Sequence, residues 1–251
     1  MATQREAVLR AEGLTRRFGA FVAVDHVDFS LDGDEIHGII GPNGAGKTTF
    51  FKMISGVIQP SEGRIELKGE DITALAPERI ARRGLAQTFQ ITSIFPSLTV
   101  EENVVGALNG QKRFLNPAVP YREDSATTER AREILRRIGL DDVAGAEAGN
   151  LSHGDQGVLE IGLALATDPE VILFDEPTAG LSATETERIR TIIEEISDEA
   201  AIMLVEHDMD FVMGLADSVT VLHNGQILAQ GSPDEISQNS DVQNVYFGRD
   251  V

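Results

Sequence analysis

Two adjacent carboxylates, a histidine, a lysine and a threonine are the side chains of this sequence whose types and settings could do phosphoryl chemistry. Asp175-Glu176 closes the apolar run Val171-Ile172-Leu173-Phe174, and His207 follows the apolar run Ala201 to Val205. Such runs read as buried strands, which puts all three side chains at the C-terminal edge of a parallel sheet, where α/β folds bind ligands. Lys47 and Thr48 stand in Gly41-Pro42-Asn43-Gly44-Ala45-Gly46-Lys47-Thr48-Thr49, which fits G-x-x-x-x-G-K-[ST]. In that pattern backbone N–H groups turn inward around a polyphosphate, the lysine reaches the terminal phosphates, and the threonine hydroxyl faces a bound Mg²⁺. Asp175 would hold the same Mg²⁺, directly or through water, and Glu176 would orient the attacking water. His207 could hydrogen-bond the γ-phosphate or that water. Taken singly, a solvated acidic pair and a structural histidine are the plainer readings. A shared edge with a phosphate loop favours the chemical one.

The elements that must position these groups follow from pattern. Ile36, Ile39 and Ile40 read as a short buried strand leading into the loop, and Thr49 to Ile54 as a helix whose N-terminus points at the anion. Before it, Phe21 to Val24 and Val27 to Leu31 look like two short antiparallel strands. Further strands are expected at Gly63 to Leu67 and Leu85 to Gln90, with a short helix from Pro77 to Arg83 between them. Then the pattern changes. Thr99-Val100-Glu101-Glu102 is a capping box opening a helix to about Leu108. Ala131, Ile134, Leu135 and Ile138 mark a second helix stopped by Gly139, and the polar stretch Asn109 to Asp124, with Pro117 and Pro120, reads as a loop. Residues 91–154 are therefore expected to be a helical insertion in an α/β core of residues 1–90 and 151–251, together one domain.

Beyond it, a helix is expected from Ser152 through Ala166, and Ser182-Ala183-Thr184-Glu185 caps another with Ile189, Ile192, Ile193 and Ile196 on its core face. Asn224-Gly225 between two apolar segments signals a hairpin, and Ser232-Pro233-Asp234-Glu235 caps a final helix. Leu151-Ser152-His153-Gly154-Asp155 carries two readings. Ser152-x-x-Asp155 fits a capping box, while the exposed amides of that helix start could also receive a phosphate from another subunit, this chain's own loop already cradling one.

Composition narrows the partners. The 251 residues carry a formal charge of -20, with 21 Lys+Arg against 41 Asp+Glu, which argues against nucleic acid as the main partner. The lysines are only Lys47, Lys52, Lys68 and Lys112. Acid excess with arginine favoured over lysine points to a salty cytoplasm, where screening tames self-repulsion. There is no cysteine, hence no disulfide framework, thiolate metal site or cysteine nucleophile. Neither a signal-peptide pattern nor an apolar run approaching about 18 residues is seen, so a soluble cytoplasmic chain is expected.

The order of Gly41 to Thr49, Gln90, Leu151 to Asp155, Val171 to Glu176 and His207 resembles the ATP-binding subunits of ABC transporters over about Val8 to Gly248. Gln87-Thr88-Phe89-Gln90, Leu159-Glu160-Ile161-Gly162 and Asp175-Glu176-Pro177-Thr178-Ala179-Gly180-Leu181 look most like the subunits that power uptake of branched-chain amino acids, the urea and amide branch being close. The resemblance implies an α/β P-loop NTPase core of ABC type with an antiparallel β subdomain and a helical insertion. It also implies ATP and Mg²⁺ as ligands. Phe18 would stack on adenine with Val24 beside it, and Gly44 to Thr49 would hold phosphates. Thr48, Gln90 and Asp175 would coordinate Mg²⁺ or its waters, Glu176 would be the general base and His207 the switch. Ser152 and Gly154 would clamp the γ-phosphate on a second ATP-binding subunit, identical or paralogous, with Ala179 to Ser182 crossing the interface. Membrane-spanning permease subunits and, through them, an external solute-binding protein complete the partners, placing the chain on the cytoplasmic face of the membrane. The apolar stretch Ile91, Ile94, Phe95, Pro96 and Leu98 would dock the permease. Two departures stand out. The signature usually reads Leu-Ser-Gly-Gly-Gln, and here His153 and Asp155 occupy its third and fifth places; Phe18 stands where tyrosine is common. The rivals are a soluble ABC-type ATPase of DNA repair or ribosomes, which the acidic charge disfavours, and a small kinase or GTPase, which would leave the signature unexplained and lacks the Asn-Lys-x-Asp guanine motif.

Overall fold

The computed structural model describes residues 7–88, 94–115 and 125–247. Along the chain run β1 (Ala7–Phe18), β2 (Phe21–Asp32), β3 (Ile36–Ile40), α1 (Lys47–Ile54), β4 (Glu62–Leu67), β5 (Glu70–Asp71), α2 (Pro77–Ala81) and β6 (Leu85–Gln87). There follow α3 (Val100–Leu115), α4 (Ser125–Arg137), α5 (His153–Leu165), β7 (Val171–Asp175), α6 (Ala183–Ile196), β8 (Ala201–Val205) and α7 (Met209–Leu215), and then β9 (Ser218–His223), β10 (Gln226–Gly231), α8 (Pro233–Gln238) and α9 (Ser240–Phe247). The described residues of Met1–Gln87, Glu170–Glu176 and Glu194–Val251 form one compact unit, and those of Thr88–Pro169 and Pro177–Ile193 another.

The first unit holds both sheets. One has the order β10-β9-β3-β8-β7-β6, the other β2-β1-β4-β5. β3, β7 and β8 are buried at every residue, which is why β8 and β7 up to Phe174 are continuous apolar runs rather than alternations, while β3 buries His37 and Gly38 among its isoleucines. Their parallel register sets Ile39 opposite Val205 and Val205 opposite Asp175. Three strands thus end at one level, and whatever follows Ile40, Asp175 and Val205 must share an edge.

A buried polar network pins the other end of β3. His37, 1% exposed, bonds Glu35 at 2.9 Å and Ser218 at 2.7 Å through Nδ1 and the Thr220 hydroxyl at 2.8 Å through Nε2. Burial pushes the Glu35 carboxyl up, but hydrogen bonds from His37, Ser218 and the Asp32 amide prevail and hold its pKa at about 2. Every polar atom of this cluster named here has a partner, so the network fixes β3 against β9 without an unsatisfied group.

Several expectations are corrected. The two short strands expected before β3 are one long strand, because His26 takes a left-handed φ of 51° and donates its N–H to the Thr15 hydroxyl at 3.0 Å, absorbing the irregularity as a bulge. The strand expected from Leu85 to Gln90 pairs only through Gln87; Phe89 and Gln90 lie outside the described residues. In the second unit α3 runs to Leu115, so Asn109 to Leu115, expected in a loop, are helical: a glycine such as Gly106 or Gly110 costs about 1 kcal/mol in a helix and does not by itself end it. Pro117 and Pro120 are outside the described residues. The helix capped at Ser232 is not the last: α9, only eight residues long, follows it after Asn239.

The second unit is helical. Val100, Val104, Ala131, Ile134, Leu135, Ile138, Val158, Leu159 and Ile161 are buried. Gly162 permits the close approach of α4 and α5, since a Cβ there would lie 2.6 Å from Ile138 Cδ1.

Candidate functional site

In the first unit the phosphate loop is shaped by its glycines. Gly46 caps α1 with φ 106°, and a Cβ there would meet the Ala23 carbonyl oxygen at 2.5 Å; Gly41 has φ 154° with the Leu222 carbonyl oxygen 2.3 Å from a would-be Cβ. No larger residue fits either place. The hairpin turn of β9 and β10 braces the loop from below. Asn224 and Gly225 have φ of 51° and 81°, and the Gly225 amide donates to the Ala45 carbonyl at 2.9 Å while its own carbonyl accepts from Asp25 at 2.8 Å.

Above the loop lies a cavity of about 230 Å³ lined by Phe21, Ala23, Asn43 to Thr49 and His207. Lys47 is 6% exposed, and its ammonium donates to the Gly41 carbonyl at 2.6 Å. Burial pushes its pKa down, opposed by the negative charges of Glu176 and Asp175. Thr48 is exposed at the start of α1.

The carboxylates stand where the register requires. Burial, reinforced by the neighbouring Glu176 charge, pushes the Asp175 carboxyl up. A divalent cation beside it would relieve both effects, so the donor set of Asp175 and Thr48 fits Mg²⁺ carried in with a polyphosphate. Among the described residues no group of three or more His, Cys, Asp or Glu could hold a metal without the substrate's oxygens. Glu176 has a left-handed φ of 53°, costly for a non-glycine residue, and donates its N–H to the Val205 carbonyl at 2.8 Å. Its Oε1 lies 2.7 Å from His207 Nε2. The His207 amide in turn donates to the buried Glu206 carboxylate at 3.0 Å.

The sequence-predicted residues are thus partly gathered. Lys47, Thr48 and His207 line one cavity, and Glu176 joins through His207. Val24 is fully buried and lines no part of the cavity; Ala23 takes that place. Phe18 is 45% exposed, with the Arg16 guanidinium 4.6 Å from its ring centroid. Gln90 lies outside the described residues. Two residues escaped sequence reasoning. Phe21 lines the cavity, a position its place in an alternating strand does not announce. Tyr246, near the end of α9, is hydrogen-bonded to the Gly41 backbone, and burial pushes its pKa up to about 12.

The signature residues belong to the second unit. Ser152 caps α5, accepting the Asp155 N–H at 3.1 Å and donating its hydroxyl to Asp155 Oδ2 at 2.9 Å. This is half of the expected box, since the acid returns to the hydroxyl rather than to the Ser152 amide. The other carboxylate oxygen accepts from Arg188 Nη1 at 2.6 Å, while Arg188 Nη2 donates to the carbonyls of Ile138 and Gly139. An acid beside an expected phosphate seat is thereby matched by a cation. A Cβ on Gly154 would lie 2.4 Å from Glu185 Oε1, so a larger residue there would displace a carboxylate engaged in capping α6 with Ser182. A Cβ on Gly180 would lie 3.8 Å from the His153 ring, which puts the start of α5 beside the loop before α6.

A family model described as ABC transporter matches residues 24–179. The chain belongs to the ABC transporter family. This ABC subunit is 39% identical over 97% of its length to the high-affinity branched-chain amino acid transport ATP-binding protein LivG of Escherichia coli (strain K12), 98% of which is covered. It is 34% identical over 96% of its length to the probable branched-chain amino acid transport ATP-binding protein LivG of Methanocaldococcus jannaschii, with 97% of that protein covered. Among solved structures, the ADP conformation of an ATP-binding cassette of an ABC transporter matches with a TM-score of 0.85 at 31% identity, over 97% of this chain and 100% of the other. The ABC subunit is an ATPase built on the P-loop α/β fold. No helix among its described residues is long and apolar enough to cross a membrane.

Proposed function

We propose that this chain is the ATP-hydrolysing subunit of an importer of branched-chain amino acids, with two ATP-binding subunits closing head to tail on ATP at the cytoplasmic face of the membrane. The observation that supports it most is the edge where β3, β7 and β8 end in register. There the loop with Lys47 and Thr48 meets Asp175, Glu176 and His207. Asp175 and Thr48 would hold the Mg²⁺ of MgATP or its waters, and the family resemblance adds Gln90, which lies outside the described residues. Glu176 accepts a proton from water as the water oxygen bonds to the γ-phosphorus; the bond to the bridging oxygen breaks, and ADP leaves with that oxygen's electron pair. His207, exposed beside Glu176, senses the γ-phosphate. Phe18 lies against adenine. Ser152 and Gly154 receive the γ-phosphate bound to the partner, flanked by Leu151, His153 and Asp155. The solute is assigned by the likeness to the branched-chain amino acid proteins.

The permease subunits meet the helical part of residues 91–154 at Phe95 and Leu98. Phe95 is 63% exposed and Leu98 37%, whereas Ile94 is buried and belongs to the core; Ile91 lies outside the described residues. Asn103 steadies this display, its side chain accepting from the Phe95 amide at 2.7 Å and donating to the Phe95 and Thr99 carbonyls at 3.1 and 2.9 Å. Charged replacements at Phe95 and Leu98 should abolish co-purification with the membrane subunits and abolish leucine-stimulated ATPase activity, with basal hydrolysis within about twofold, since neither residue lines the nucleotide cavity. Normal co-purification of the double variant would overturn the docking site. Stimulation of the intact assembly by urea and not by leucine would move the subunit to the urea and amide branch.

The charge of -20, with arginine favoured over lysine, supports a high-salt cytoplasm. Repulsion between carboxylates reaches about 10 Å at 0.1 M salt and about 3 Å at 1 M. Thermal melts should therefore rise steeply from dilute buffer to molar KCl. A flat series would remove the halophilic reading.

A further inference from the structure

The end of the β1–β2 hairpin carries two exposed aromatic rings where the family resemblance assigns one. Phe18 and Phe21 are directly opposed at the last position of the register, flanking a turn in which Gly19 has φ 61°. Directly opposed residues of an antiparallel pair project to the same face, close enough for their side chains to interact. Phe21 is 63% exposed, an unfavourable setting for a phenyl ring with no packing role, and yet it lines the phosphate-loop cavity together with Ala23 and Asn43 to Thr49. Phe18 is not among the residues lining that cavity, and one face of its ring is taken by the guanidinium of Arg16. That guanidinium is itself fixed, Nη1 donating to the Gln59 carbonyl at 2.7 Å.

Given the ATPase reading above, on which this rests, we propose that the nucleoside is received by a two-ring edge in which Phe21 supplies the ring contiguous with the phosphate loop and Phe18, stiffened by Arg16, supplies the second. A flat purine joined to a polyphosphate in the loop must leave the cavity past its apolar rim, and the rim residue of the hairpin is Phe21. Stacking of a base on an aromatic ring is indifferent to the base's hydrogen-bonding edge, so this edge recognises a purine as a π-surface and not adenine as such. A cation held over Phe18 strengthens and orients that ring without blocking its second face.

The test separates base from phosphate by comparing ATP with inorganic tripolyphosphate, which has the phosphates and no base. Binding of each to the full chain is measured by calorimetry with Phe21→Ala and Phe21→Trp beside the wild type, with ATP presented without Mg²⁺ to prevent turnover. Phe21→Ala should weaken ATP by about 5- to 100-fold, the range of alanine substitutions at base-stacking positions, and leave tripolyphosphate unchanged. Phe21→Trp should restore ATP binding, and GTP should follow ATP through the whole series. Equal weakening of both ligands by Phe21→Ala would make the ring a prop of the loop and overturn the proposal. So would unchanged ATP binding. A wild-type protein that binds neither ligand would overturn the ATPase reading and this inference with it.

Discussion

Glu176→Gln should lower steady-state ATP turnover by about 10²- to 10⁴-fold, the contribution a positioned general base makes, while leaving ATP binding intact. Gln keeps the size and hydrogen-bonding reach of Glu but cannot take a proton. In the proposed site the contacts that would seat the nucleotide come from the phosphate loop, Lys47, Thr48 and Asp175, none of which depends on the Glu176 charge for its backbone position. The fold should also tolerate the change. The left-handed φ of 53° at Glu176 is held by its backbone N–H to Val205, and Gln forms the same bond. One contact will alter: the 2.7 Å pair with His207 loses its charge and survives as a neutral hydrogen bond. Phosphate release assays against equilibrium binding read both quantities, and full turnover in the variant would contradict the assignment of the base.

Ser152→Arg should abolish ATP-driven pairing of subunits and, with it, hydrolysis. Ser152 is exposed at the start of α5, and its hydroxyl is shared between the Asp155 amide and carboxylate. An arginine there removes the cap, which costs about 1 kcal/mol, and fills the seat proposed for the partner's γ-phosphate. The isolated subunit should bind ATP as the wild type does, because Ser152 is not among the residues lining its own phosphate-loop cavity. Ser152→Ala separates the two consequences: it loses the same cap and leaves the seat open, so its pairing should be much less impaired. Pairing by Ser152→Arg at wild-type ATP concentrations would remove the signature from the closed site.

Much of the first unit was legible because its strands and loop announce themselves locally. Val171 to Phe174 and Ala201 to Val205 are apolar without interruption, a pattern that burial on both faces produces, and the strand carrying Ile36, Ile39 and Ile40 runs straight into the phosphate loop. Their common edge was inferable from strand ends alone. What was not legible depends on contacts between distant segments. Arg188 meets Asp155 across 33 positions, and nothing in Leu151 to Asp155 says that the acid has a cation. Phe21 reads as one more apolar residue of a strand until the hairpin brings it over the loop, and Tyr246 lies about two hundred positions from the Gly41 backbone it bonds. Local chemistry misled in the opposite direction at Asn109 and Gly110, where weak helix formers are carried along by the helix already formed. Likewise His26, a residue rarely left-handed, hides a single long strand behind what looks like a break.

The most direct test of the account is sedimentation of the Glu176→Gln subunit, alone and with its paralogous mate where one exists, in the presence of ATP or ADP. An ATP molecule that is bound and not hydrolysed acts as a ligand of the closed pair, so it should shift the equilibrium toward association by mass action. A stable dimer with ATP, a monomer with ADP, and no dimer when Ser152→Arg is added are the expected results. Tight ATP binding by a subunit that stays monomeric with every mate would contradict the head-to-tail site.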